Sequence, residues 1–154
     1  MWDLVRSVIM YVFVLALIVG IFKLIKTQTK VTIDNNDHTM EPIYTGGGQS
    51  IDTSVNKVSD LKPNDCVAYA VPGKPDTDRV AQVVAIEGQR VEVTNKVTVD
   101  GKDTPFTVDN RAWTFPETKV PCGCVFVLAV KSNESDDSMH VGPIPFFCIK
   151  GRLR

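Results

Sequence analysis

Apolar residues fall along this chain in two regimes. From Val8 to Phe22 they run unbroken, with one Gly and no charge, and extending to Leu4 and Ile25 admits only Arg6, Ser7 and Lys23. Roughly 20 helical residues cross a ~30 Å hydrocarbon layer, and long cationic side chains at the ends can reach the interface, so the pattern predicts one membrane-spanning helix. A cleaved secretory leader fits less well, because Lys23-Leu24-Ile25-Lys26 stands where a small-x-small cleavage site would end one.

Beyond the anchor the pattern changes to short apolar runs broken by turn residues, with no long stretch of helical period. Cys66–Val71 is one such run, ended by Pro72-Gly73, and Val80–Ile86 is another, nearly continuous and suited to a buried strand. Val91–Thr94 and Val97–Val99 alternate apolar and polar positions around Asn95-Lys96, a hairpin signal followed by a second turn at Asp100-Gly101. Val125–Val130 reads as a further strand, and Pro143-Ile144-Pro145 leads into a last apolar piece, Phe146–Ile149. The segments 45–50 and 73–78 read as loops. These elements predict an all-β fold of short antiparallel strands, closed into a barrel or stacked as sheets to hide their edges. Residues 1–30 are read as the anchor with the start of a polar connector, which extends over 26–36, and residues 31–154 as one β domain.

Composition adds little. With 154 residues, 44% of them hydrophobic, the chain suits a single packed domain. A net charge of −1 with scattered lysines and arginines gives no footprint for nucleic acid. Cys66, Cys122, Cys124 and Cys148 allow three disulfide pairings. Cys122-Gly123-Cys124 is too closely spaced for an unstrained mutual bridge, and the spacings do not suit a zinc site. Small buried apolar roles for Cys66 and Cys148 account for them equally well. No metal or cofactor is expected. The charge flanking the anchor, with Lys23, Lys26 and Lys30 on its C-terminal side against Arg6, the amino terminus and Asp3, favours a cytoplasmic β domain by a small margin.

Several segments together resemble the type I signal peptidases, membrane-anchored serine/lysine proteases. His38-Thr39-Met40-Glu41-Pro42 is similar to the family's nucleophile segment Ser-Met-x-Pro, with Thr39 in the serine position. Leu61-Lys62-Pro63-Asn64-Asp65-Cys66-Val67 resembles Leu-x-x-Gly-Asp-x-Val, with Asn64 replacing a glycine at a tight turn that both residue types tolerate. Ala81 through Val91 follows Lys-Arg-Val-Val-Gly-Leu-Pro-Gly-Asp-x-Val without a gap, and Val97–Lys102 resembles the strand and turn after it. Residues 129–139 occupy the family's last motif, Gly-Asp-Asn-x-x-x-Ser-x-Asp-Ser-Arg, in which Ser135, Asp137 and Ser138 are kept and Met139 replaces the arginine. The resemblance implies a signal-peptidase-like β domain on an N-terminal anchor, facing outside the cytoplasmic membrane against the charge margin, with preproteins or surface proteins as partners.

It also implies a catalytic dyad that is incomplete. The mechanism requires a hydroxyl nucleophile and a neutral amine in hydrogen-bond reach, the amine kept neutral by apolar burial. Thr39 keeps a hydroxyl, but Ala81 stands in the lysine position and leaves it vacant. Gln82 is no base, Arg79 stays protonated, and in an extended segment His38 points away from Thr39. His140 and Lys131 are the remaining candidate bases. Asp37 occupies the position two before the nucleophile, where its carboxylate would repel a developing oxyanion. By the resemblance Asp37, Met40 and Val83 border bound peptide, while Ser135 and Asp137 support the dyad. The expected function is that of a non-cleaving, membrane-anchored protein that holds extended peptide by strand addition in an assembly or secretion role. Family members without the dyad occur among accessory proteins of Gram-positive pilus operons. The alternative is an atypical active peptidase that uses Thr39.

Overall fold

The computed structural model describes residues 2–26, 28–33, 37–45, 47–106, 114–131 and 136–153. A single helix, α1 (Trp2–Lys26), precedes all the strands. Its stretch Val5–Phe22 has a mean hydropathy of 2.5 with none of it buried. Among the described residues it is the one helix long and apolar enough to cross a membrane. Leu15, Val12, Phe13 and Phe22 stay exposed, a large cost in water that lipid removes, so the helix is consistent with a membrane anchor.

Among the described residues eleven strands follow: β1 (Gln28–Ile33), β2 (Gly47–Asp52), β3 (Cys66–Val71), β4 (Lys74–Ile86), β5 (Arg90–Val93), β6 (Val97–Val99), β7 (Lys102–Asp103), β8 (Phe115–Lys119), β9 (Cys124–Leu128), β10 (Ile144–Pro145) and β11 (Ile149–Leu153). A one-turn helix, α2 (Ser138–Val141), lies between β9 and β10, and short 3-10 turns cover Val58–Asp60 and Phe146–Cys148. All pairings are antiparallel, in a seven-stranded sheet ordered β1-β2-β11-β3-β4-β9-β10 and a four-stranded sheet ordered β7-β6-β5-β8. The expected all-β architecture is present, but the barrel alternative is not. Among the described residues both sheets are open, with β1 and β10 as the edges of one and β7 and β8 as the edges of the other.

The hairpin expected around Asn95-Lys96 is β5–β6, and the turn into β7 places Asp100 at φ 50° and Gly101 at φ 73°. Two successive positive φ values make the primed turn whose twist matches antiparallel strands. Asn64 has φ 76°, as its place in a glycine position requires. Its amide donates to the Val83 carbonyl, and the Val83 amide donates to that of Asp65 (2.9 and 2.8 Å), so this turn continues the ladder beside β4. Three stretches expected to be loop or connector are partly strand. The loop 73–78 is largely the start of β4, residues 47–50 belong to β2, and part of the connector is β1.

Strand β4 divides the interior. Ala81 and Val83 face one way, into a cluster with Val67, Tyr69, Val125, Val127, Ile144, Val58 and Leu61. Val80 faces the other way, with Val31, Met40, Ile51, Cys66, Ala68, Ala129 and Leu153. After a register shift between Val83 and Ala85, the strand's end packs with Val91, Val93 and Val97 of the smaller sheet, with Val120, and with Phe126 of β9.

Candidate active site

Residues 38–44 form a compact turn next to β4. The Met40 carbonyl accepts from the amides of Ile43 and Tyr44 (2.8 and 3.0 Å), and the Met40 side chain is buried at 3% exposure. The Lys131 amide donates to the Thr39 carbonyl at 2.8 Å and ties this turn to the chain leaving β9.

The Thr39 side chain is buried. Its hydroxyl donates to Asp37 Oδ1 at 2.6 Å, and its amide donates to the same oxygen at 3.1 Å. The other carboxylate oxygen of Asp37 receives Arg79 Nη1 at 3.4 Å. The Asp37 side chain is only 5% exposed and that of Arg79 22%, so the pair is poorly screened. Sequence reasoning considered Asp37 and Arg79 separately and missed their pairing. The spacing places Arg79, two residues before Ala81, on the same strand face, but does not bring it to Asp37.

Ala81 is fully buried, opposite Val67 in the β3–β4 register, and Arg79 is opposite Tyr69. The Tyr69 hydroxyl donates to the Asp136 carbonyl at 3.1 Å, which brings the last motif against this face. A lysine at position 81 would have its stem among Val67, Tyr69 and Val83, surroundings that favour a neutral amine.

The candidate replacement bases have other partners. Lys131 Nζ donates to Glu41 Oε2 at 3.2 Å. His140 Nδ1 is 3.4 Å from Asp137 Oδ1. The His38 imidazole lies 2.6 Å from Glu41 Oε1. These contacts from His38 and then Lys131 hold the Glu41 carboxyl below the usual carboxylate range.

Asp137 is completely buried and caps α2, accepting from the Met139 amide at 3.0 Å while its second oxygen accepts from the Ala129 amide at 3.0 Å. Ser138 Oγ accepts from the Val127 amide at 2.9 Å. Both side chains thus fasten α2 to the end of β9. Ser135 lies outside the described residues. Met40 and Val83 are both buried, on opposite faces of the large sheet. Among the described residues, no three His, Cys, Asp or Glu side chains converge so as to hold a metal ion.

The chain's sequence matches the family model for signal peptidase, peptidase S26, over residues 2–154. No curated protein matches it significantly. Its fold is similar to the crystal structure of a signal peptidase I from Enterococcus faecalis V583, at 18% identity and a TM-score of 0.52, over 66% of this chain and 100% of that one. The family match spans the apolar helix α1, the Thr39 turn, β4 and the segment around α2, and the chain belongs to the signal peptidase family, peptidase S26.

Proposed function

We propose that this protein is a membrane-anchored member of the signal peptidase family that binds extended segments of preproteins or surface proteins without cleaving them, with the β domain outside the cytoplasmic membrane. The observation that carries the reading is the state of the Thr39 hydroxyl. Its proton is directed at a carboxylate already paired with Arg79, and the adjoining strand position, Ala81, has no titratable atom. The negative charge of that carboxylate opposes an oxyanion forming beside Thr39. The ammonium of Lys131 and the imidazole of His140, engaged with Glu41 and Asp137, add to the same reading.

The test is cleavage of a preprotein by the full chain in detergent. The expected result is no cleavage by the parent protein, together with crosslinking of peptide to positions beside Thr39. Cleavage by the parent that disappears in Thr39→Ala would overturn the proposal. The variant Ala81→Lys with Thr39→Ser measures how much of the site remains, since recovered activity would locate the loss in the dyad alone.

A second reading, an atypical active peptidase, has one observation in its favour: the Thr39 hydroxyl already has an acceptor at 2.6 Å. It requires activity that is lost in Asp37→Asn, whereas a site based on His140 or Lys131 would lose activity in His140→Ala or Lys131→Ala.

A further inference from the structure

Three of the four thiols gather at one end of β9, away from Thr39. The turn into that strand is closed by a hydrogen bond from the Cys124 amide to the Pro121 carbonyl at 3.2 Å, with Gly123 at φ 73°. Both peptide groups of Gly123 are fixed. Its amide donates to Glu87 Oε2 at 2.7 Å, and its carbonyl accepts from the Phe146 amide at 2.8 Å. Cys122 therefore stands exposed on a rigid corner, and Cys124, half-buried, begins β9 opposite Pro145. Next to Cys122 is a hollow of about 440 Å³ lined by Glu87, Gly88, Lys119, Val120, Pro121 and Cys122.

We propose that Cys122 and Cys124 are a thiol–disulfide exchange pair that acts on a disulfide of another polypeptide. Residues two apart have Cα atoms no more than about 7 Å from each other, at the edge of the span a disulfide bridges. A Cys-Gly-Cys bridge is thus attainable but strained, and strained, exposed disulfides are those that exchange rather than persist. Cys148, whose thiol is pushed up by burial and then by Cys124, is the rival partner. It packs on the Val125 and Ile144 side of β9, whereas Cys124 packs on the Phe126 side. Cys66 is buried in a different cluster, among Met40, Ala68 and Val80.

The steps balance. The Cys122 thiolate attacks one sulfur of the partner disulfide, whose S–S bond breaks as the new one forms, and the departing thiolate takes up a proton, with the hollow giving its chain room. The Cys124 thiolate then attacks Cys122 Sγ, closes the intrachain bond and releases the second partner thiol. Two thiols of this chain are oxidised and one partner disulfide is reduced to two thiols. Run backwards, the oxidised turn delivers a disulfide to a dithiol. Burial pushes the Cys124 thiol above its ordinary value, and the exposure of Cys122 gives it first access to a partner disulfide.

The test treats the full chain in detergent with glutathione disulfide, followed by intact mass and peptide mapping. Expected are the loss of two hydrogens with a link between Cys122 and Cys124, and its reversal by reduced glutathione. Cys124→Ser should stop at a glutathione adduct on Cys122, enriched at least about tenfold over the parent, and Cys122→Ser should yield neither product. A persistent adduct on Cys122 in the parent, a Cys124–Cys148 link, or dimers joined through Cys122 would each overturn the proposal.

Discussion

The hydroxyl of Thr39 lies 2.6 Å from the carboxylate of Asp37, two residues upstream, and Arg79 reaches the other side of that carboxylate from β4. Removing Asp37 strands three donors at once: the Thr39 hydroxyl, the Thr39 amide and a guanidinium with little access to water. Asp37→Ala should destabilise the protein by about 1–3 kcal/mol, below the figure for a fully buried pair because Arg79 keeps some solvent. Arg79→Leu in the same background should restore part of the loss. Urea unfolding of the two single variants and the double variant gives the coupling, and additive losses would show that the pair contributes nothing.

Asp137 should matter more. Asp137→Ala leaves the Ala129 and Met139 amides without their acceptor in a fully buried place. The expected loss is about 2–4 kcal/mol, the sum of a helix cap and a buried amide. Asp137→Asn, which keeps one acceptor oxygen, should lose less. Equal stability of Asp137→Ala and the parent would refute this account of the α2–β9 junction.

Glu41 gives a pH signature. Its carboxyl titrates below the ordinary 4.5, first because of the His38 hydrogen bond and then because of Lys131. A depressed carboxylate value contributes stability above the unfolded value, and that contribution fades as the pH falls through the folded one. NMR titration of the Glu41 side chain should move towards 4.5 in both His38→Ala and Lys131→Ala, and further in the first. An unmoved titration in His38→Ala would contradict the contact.

Gly151 allows a steric test. A Cβ there would stand 2.7 Å from the Asp52 carbonyl oxygen, a backbone atom that cannot turn aside. Gly151→Ala should push β11 away from β2 and cost about 1–3 kcal/mol. Arg152 and Leu153, which pair with Asp52 and Ile51, should lose amide protection in hydrogen exchange.

Much of this fold was legible because hydrophobic runs and turn residues agree. Cys66–Val71 is β3 as read, and Asp100-Gly101 turns where it should. Residues 47–50, Gly-Gly-Gln-Ser, were not legible as a strand, because their place in β2 comes from partners on β1 and β11 rather than from any period of their own. The first residues of β4 were hidden in the same way by Pro75 and Asp76, which resemble a loop until β3 is laid beside them. β8 and α2 had no periodic signal, since each is only a few residues long. At the candidate site, motif order located Thr39 and Ala81. The joining of Asp37 to Arg79 depended on two segments 42 residues apart in sequence meeting in space, which no local pattern records.

Because Arg79 and Ala81 are one pleat apart on β4, this strand face has a permanent cation two residues from the position where the family places a titratable one. A guanidinium keeps its proton at every pH at which the fold exists. Between neutral and mildly alkaline pH, the range in which a buried amine would gain and lose its charge, the charge that Arg79 gives this face is constant. The electrostatic attraction that Arg79 and Asp37 offer a visiting peptide should therefore be the same throughout that range.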